Sequence, residues 1–322
     1  MGAQTPEVVF GPVPSRRLGQ SLGINNIPPK TCSYACAYCQ VGRTTEQRDQ
    51  RCSFYDPAVL LREVDQRLAD APGGGAAVDY VTVVPDGEPT LDLHLDRLIE
   101  GLQARPPRIA VITNGSLFAD RAVRAALMPA DWVSVKVDSV SEVGWRKVNR
   151  PHRGLQLDRI LEGIRRFARE YEGKLVTETM LVGGCNDGAE DIAAVAGFLA
   201  EISPRHAYLA IPTRPPVESW VAPPGAAELN RAYQILGEQV ASVELLTGDE
   251  GDSFGGWGAP TEELLRITAV HPMRAAAVRA LLARVGASWS LVEDLVRTGR
   301  LAKVAYRDQV FYIRVHAARH GE

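Results

Sequence analysis

Residues Lys30–Cys39 carry three cysteines, Cys32, Cys36 and Cys39, spaced C-x3-C-x2-C, with no fourth cysteine close behind. No other feature of the chain constrains it more. A structural zinc site wants four closed protein ligands, usually built from C-x2-C pairs. A 4Fe–4S cube is normally held by four Cys thiolates, so three would leave one iron open to an outside ligand. On these residues alone, a zinc knuckle completed by Cys52 or a distant His, or three incidental thiols, stay open as alternatives.

The rest of the chain narrows the class. Its 322 residues suffice for one large domain and a small one. Hydrophobic content of 45% and charge of 23% are those of an ordinary globular protein. The net charge of −3 carries no overall nucleic-acid signature, so any basic surface must be local. No apolar run reaches the roughly 18 residues of a membrane span. Met1–Phe10 lacks the basic-then-apolar order of a secretory signal. Five cysteines, three of them clustered, are not a disulfide framework. The expectation is a cytoplasmic protein, where thiols stay reduced.

Read in order, residues 6–21 form a turn-rich polar lead-in in which Arg16 and Arg17 are candidates to hold a carboxylate or phosphate. Strands are expected at Leu22–Ile27, Tyr80–Val84, Arg108–Thr113, Trp132–Asp138, Lys174–Val182 and Ala207–Pro212. Helices are expected between them, over Pro57–Ala71, Leu93–Ala104, Asp120–Met128, Leu157–Tyr171 and Glu190–Ile202. Such alternation predicts a parallel α/β sheet. Six units fall short of the eight that close a barrel, and the pattern alone fits a partial barrel or a doubly wound sheet. A further helix is expected over Ala226–Ala241 and a strand over Val243–Leu246. Residues 1–247 thus form the main domain, and 248–259 a Gly-rich hinge holding Phe254 and Trp257. In residues 260–322, helices over Glu262–Ala269, Met273–Val285 and Trp289–Arg297 precede strands at Ala302–Tyr306 and Val310–Val315, the order of a winged helix. Residues 270–322 hold nine basic residues, Arg319 among them, against four acidic ones that include Glu322. This local excess suggests a polyanion such as RNA as partner.

Ligands of parallel sheets gather at the carboxyl ends of the strands. The cysteine loop follows the first strand. Pro85-Asp86-Gly87-Glu88-Pro89-Thr90 follows the second, and Thr113-Asn114-Gly115-Ser116 the third. In the fourth, Ser134, Lys136 and Asp138 share one face and the valines the other. The polar face should point inward, which makes these three residues candidate ligand or catalytic groups. Asn149–Arg153 is a polar cluster in which His152 is a candidate substrate contact, and a solvated loop fits it as well. Thr177, Thr179 and Leu181 alternate with Glu178 and Met180, and one of the two sets lines the interior. Cys52 and Cys185 need no function beyond packing.

The cysteines, Phe10–Gly19, Gly23–Lys30, Asp86-Gly87-Glu88-Pro89-Thr90-Leu91 and Ile267–Met273 together resemble the radical S-adenosylmethionine (SAM) superfamily. Within it they resemble a prokaryotic group related to wyosine-type tRNA-modifying synthases. The resemblance implies an open (β/α)6 partial barrel followed by the winged helix. It implies a 4Fe–4S cluster on Cys32, Cys36 and Cys39, whose open iron SAM chelates, and reductive cleavage of SAM to a 5′-deoxyadenosyl radical. Tyr38 would lie near the adenine, and Asp86, Gly87, Glu88 and Pro89 would hold the SAM ammonium group. Asn114, Ser134 and Lys136 would complete the SAM site, with Lys136 and Asp138 as catalytic residues. The usual motif has Gly where Asp86 stands. Residues 1–31 also lack the second set of cysteines that wyosine-forming enzymes carry. A flavodoxin- or ferredoxin-like reductant would supply the electron. The function expected is thus an iron–sulfur oxidoreductase or transferase acting on RNA, with a small molecule or peptide as the alternative substrate. A winged-helix regulator with a sensory cluster is the alternative outside enzymes.

Overall fold

The computed structural model describes residues 8–71, 75, 77–248, 251–252, 254–255 and 258–315. The chain opens with strands β1 (Val9–Ser15), β2 (Gly19–Ile24), β3 (Thr31–Cys32) and β4 (Glu46–Gln47). There follow α1 (Pro57–Asp70), β5 (Tyr80–Val83), α2 (Leu95–Leu102), β6 (Arg108–Thr113), α3 (Arg121–Leu127) and β7 (Trp132–Lys136). Next come α4 (Glu142–Val148), α5 (Leu157–Glu170), β8 (Lys174–Met180), α6 (Ala189–Ile202), β9 (His206–Ala210), α7 (Ala226–Gln239) and β10 (Val243–Leu246). The last elements are α8 (Pro260–Val270), β11 (Met273–Arg274), α9 (Ala275–Arg284), α10 (Ser290–Arg297), β12 (Leu301–Tyr306) and β13 (Gln309–Arg314).

Local chemistry sets the helix starts. Asp56 accepts from Ala58 N–H at 2.9 Å, and Pro57 takes the first position of α1, where no donor is lost. Asp120 caps α3 in the same way at 2.8 Å. Leu157, Ile160, Leu161, Ile164 and Phe167 make one buried stripe along α5.

The main sheet has the order β1-β2-β5-β6-β7-β8-β9-β10. From β2 to β10 every neighbour is parallel and the order follows the sequence. Right-handed crossovers that always advance in one direction place their helices on one face. Consecutive helices accordingly pack side by side, α1 on α2, α2 on α3, α5 on α6 and α6 on α7. A doubly wound sheet would reverse its order at a switch point, so the open partial barrel is the architecture. Its two faces are chemically distinct. Val133 and Val135 pack with Phe118, Ile164 and Phe167 in the large core, whereas Trp132 joins Ala110, Val176 and Tyr208 inside the barrel.

Three expectations change. The lead-in is a strand, β1, antiparallel to β2 from Val9↔Ile24 to Ser15↔Gly19, with an irregularity between Phe10 and Val13. Its Gly11, Pro12 and Pro14 read as turn residues, but an edge strand tolerates proline because half its ladder donors go unused. The first parallel strand is therefore Gly19–Ile24 rather than Leu22–Ile27. The strand Val243–Leu246 adds a seventh parallel member to the sheet by pairing with β9. Helix α4, capped by Ser141 on Gly144 N–H at 3.2 Å, is too short for a periodic signal.

The last elements share a core of their own. Leu264, Ile267, Val278, Leu281, Val292, Leu301 and Tyr312 are buried together, with Val13 of β1 packed against them. The strand order here is β11-β13-β12. Met273 and Arg274, expected to begin a helix, pair as β11 with β13 instead. This unit is fixed to the barrel by Arg67 of α1, which donates to Glu263 of α8 at 2.9 Å and to the Gly11 carbonyl at 2.7 Å. In the stretch expected as a hinge, Phe254 is buried in this core and Gly255 N–H donates to the Pro12 carbonyl at 2.7 Å. Trp257, Arg319 and Glu322 lie outside the described residues.

Candidate functional site

The cysteine loop leaves β2 and is clamped from behind by the stretch after α4. Ala37 N–H donates to the Val148 carbonyl at 2.9 Å, Ala35 to Asn149 at 3.1 Å, and His152 N–H to Ser33 at 2.8 Å. The polar cluster Asn149–Arg153 is thus a support for the cysteines. His152 sits 3.3 Å from Asp49 and outside the cleft. Asn149 donates to Cys36 Sγ at 3.6 Å and to Asp138 at 2.6 Å.

All three sulfurs line one cleft of about 340 Å3 at the carboxyl ends of the strands. Burial pushes the Cys36 thiol up to about 12, helped by the Asp138 charge. Burial and the Glu88 charge raise Cys32, and burial raises Cys39. Such thiols ionise only against a strong local positive charge, which a bound metal centre supplies. Zinc would need donors about 2.3 Å from one centre. No group of three His, Cys, Asp or Glu among the described residues is placed to hold a single metal ion. Cys52 and Cys185 do not line the cleft. Three thiols and no fourth suit a wider cubane with one iron left open.

Beside the start of the cysteine loop runs the Asp86–Pro89 turn, with Lys30 N–H donating to the Asp86 carbonyl at 2.8 Å and Glu88 N–H to that of Thr31 at 3.2 Å. A Cβ on Gly87 would lie 1.9 Å from the Thr31 carbonyl oxygen, because the two segments pair there as neighbouring strands. Asp86, in the place of the usual glycine, is held by Lys30 at 2.6 Å. Burial nonetheless raises its carboxyl to about 6, against the opposing pull of Lys30. Glu88 is buried and heavily engaged. It accepts from Thr90 N–H at 3.1 Å and from the Thr90 and Thr113 hydroxyls at 2.5 Å each, and Asn114 N–H reaches its other oxygen at 2.7 Å. Among the described residues, Asn114 N–H is the hydrogen-bond donor to that second oxygen. The Asn114 side chain donates to Ser33 at 2.9 Å and to Cys32 Sγ at 3.8 Å.

The floor is ionic. Lys136 Nζ lies 2.7 Å from Glu178, and Arg17 binds the other oxygen of the same carboxylate. Arg17 is held between the Trp132 and Tyr208 rings, 5.7 Å from each centroid. Although burial alone would raise it, Lys136 and Arg17 hold the Glu178 carboxyl down at about 2. Burial works against the Lys136 ammonium, but the Asp138 and Glu178 charges raise it above the ordinary lysine value. That ammonium also sits 4.9 Å above the Tyr38 ring. The Lys136↔Glu178 register settles which set of β8 faces inward, and Met180 lines the cleft beside Glu178.

Three residues predicted for the site do not line the cleft, Pro89, Asp138 and Ser134. Asp138 follows the end of β7 and turns behind Tyr38, out of the cleft. Its carboxylate accepts from the Tyr38 hydroxyl, Asn149 and Met180 N–H, and lies 3.9 Å from Lys136 Nζ. Ser134 faces the barrel interior fully buried, below the cleft lining. Sequence reasoning noted the stretches that hold Lys30 and Asn149 but assigned neither a role, since their partners appear only when distant segments meet. At the far wall, Arg214 donates to Gln40 of the cysteine loop at 2.6 Å and lies 3.1 Å from His271. Val270 and His271, from the end of α8, line the same cleft.

Comparison with known proteins follows this geometry. Residues 26–199 match the radical SAM superfamily. The chain is 43% identical over 309 residues to a UPF0026 protein of Methanocaldococcus jannaschii, covering 95% of this chain and 96% of that one. In fold it is similar to a radical SAM methyltransferase from Sphaerobacter thermophilus, with TM-score 0.55 and 18% identity over 70% of this chain and 66% of the other. It is also similar to TYW1 with a lysine–pyruvate adduct bound, with TM-score 0.50 and 16% identity over 68% of this chain and 74% of the other. The polar cleft at the strand ends and these likenesses agree, and the chain belongs to the radical SAM superfamily as a UPF0026 protein, an enzyme family whose cofactors are SAM and a 4Fe–4S cluster.

Proposed function

We propose that Cys32, Cys36 and Cys39 hold the 4Fe–4S cluster, and that the Asp86–Pro89 turn, Tyr38, Asn114 and Lys136 bind SAM. The observation that carries this is the opening of three half-buried thiols from one loop onto a cleft lined by no other cysteine. Once bound and reduced by a flavodoxin- or ferredoxin-like donor, the two cofactors supply a 5′-deoxyadenosyl radical. The chain's own residues bind and orient. Asp138 and Asn149 fix Tyr38 and the cysteine loop. Arg17 and Glu178 hold the Lys136 ammonium over the Tyr38 ring.

For the substrate we infer RNA. Residues 260–315 are read as a winged helix, and residues 1–247 as the barrel it serves. Arg300, Lys303 and Arg307 are exposed at and around β12. On the same strand, Tyr306 donates to the carbonyl of Pro212 at 3.1 Å, and Pro212 lines the cleft. A polyanion lying on the outer side of β12 would therefore pass close to the cleft mouth. A small-molecule or peptide substrate is the second reading, favoured by Val270 and His271 forming part of the cleft wall.

Anaerobic reconstitution tests the first part. About four irons per chain are expected, together with SAM cleavage under reduction. Stoichiometric zinc without iron would refute it. Comparing tRNA and metabolite pools with and without the protein identifies the compound that reacts, and an unchanged tRNA pool would exclude the RNA reading.

A further inference from the structure

Two asparagine side chains, one after the end of β6 and one at the end of α4, reach two different sulfurs of the cysteine triplet. Asn114 Nδ2 lies 3.8 Å from Cys32 Sγ, and Asn149 Nδ2 lies 3.6 Å from Cys36 Sγ. Neither amide is free to turn over. Asn114 Oδ1 accepts from Ser116 N–H at 2.9 Å, which directs its NH2 group towards Ser33 and Cys32. Asn149 is 2% exposed, and its NH2 group also donates to Asp138 at 2.6 Å, so the carboxylate fixes which end faces the sulfur. Asn149 is buried and Asn114 half-buried, and each amide is also held by a partner on another segment, Asp138 and Ser33.

We propose that Asn114 and Asn149 are positioning residues that set the reduction potential of the cluster through N–H···S hydrogen bonds to Cys32 and Cys36. The inference rests on the assignment of the cluster to these cysteines. Reduction adds one electron to the cluster, and part of that charge falls on the thiolate sulfurs. A donor aimed at a sulfur therefore favours the reduced form, and hydrogen bonds to the sulfurs are a recognised determinant of such potentials. Since one neutral hydrogen bond is worth about 0.5–1.5 kcal/mol, removing it should shift the reduction equilibrium a few-fold to about tenfold. For one electron, tenfold corresponds to about 59 mV.

The test is a redox titration of the reconstituted full-length protein, followed by the EPR signal of the reduced cluster. Asn114→Leu and Asn149→Leu should each lower the midpoint potential. An unchanged midpoint in a Leu variant overturns the role of that residue while leaving the cluster assignment intact. Failure of the unsubstituted protein to take up a cluster overturns the assignment itself. Should a substitution prevent reconstitution, protein labelled with 15N at the asparagine side chain supplies the answer without any substitution. Electron–nuclear double resonance should then show coupling of 15N to the reduced cluster, and its absence overturns the proposal.

Discussion

The ion pair between Arg67 and Glu263 joins the barrel to the C-terminal elements, and its removal has a size that the structure allows to be worked out. The two side chains are 6% and 0% exposed. Glu263→Ala would leave the guanidinium buried, with the Gly11 carbonyl at 2.7 Å as its remaining acceptor among the described residues. Breaking a buried pair from one side costs about 3–5 kcal/mol, whereas replacing both partners by apolar groups is often neutral. Glu263→Ala should therefore cost about 3–5 kcal/mol, a large part of the roughly 5–15 kcal/mol that holds a domain folded. Arg67→Met combined with Glu263→Leu should recover most of it. Guanidinium unfolding of the parent, both single variants and the double variant closes the cycle. A cost below about 1 kcal/mol for Glu263→Ala would refute the reasoning. The same pair means that a chain ending before Pro260 should lose stability as well as its C-terminal unit, because Arg67 would be stranded.

Changing Cys32, Cys36 or Cys39 to Ala should abolish iron uptake on reconstitution, whereas Cys52→Ala and Cys185→Ala should retain it, as iron analysis would show. Glu178 titrates near 2 when folded, below its ordinary 4.5. Its ionised form thus contributes stability that is complete above pH about 4.5 and is lost as the pH falls towards 2, and Glu178→Gln should flatten that limb of the acid-unfolding curve. Glu88→Ala should weaken SAM binding roughly ten- to a hundredfold, the worth of one charge-assisted hydrogen bond of about 1.5–3 kcal/mol. It should also lower stability, since Thr90, Thr113 and Asn114 all donate to it; an unaltered melting temperature would contradict the second effect. If RNA is the substrate, its binding should weaken steeply with salt, by close to one unit of logarithmic slope per phosphate neutralised. Changing Arg300, Lys303 and Arg307 together should flatten that slope, and a filter-binding titration with no salt dependence would exclude the reading.

The cysteine spacing, the Gly-Glu-Pro turn and the alternation of Val133, Val135 and Val137 with Ser134 and Lys136 were legible in the sequence. Each is local, set by residue type over a few positions, and together they mark the family, the parallel sheet and the loop that bears the thiols. Local pattern says nothing about which strand lies beside which. The choice between a partial barrel and a doubly wound sheet came from strand order, which every crossover running in one direction decides. The strand β1 was hidden because proline and glycine spell a turn in isolation, and only an edge position lets them stand in a sheet. Asp138 shows the same limit from the other side. Strict alternation placed it with Lys136, and its carboxylate does lie 3.9 Å from Lys136 Nζ, but it also accepts from the Tyr38 hydroxyl and does not line the cleft. Asn149 was legible only as part of a polar cluster, because the sulfur it contacts is 113 residues away. Identity and chemistry were written along the chain, whereas the partners that fix each group's charge and direction exist only once distant segments are packed together.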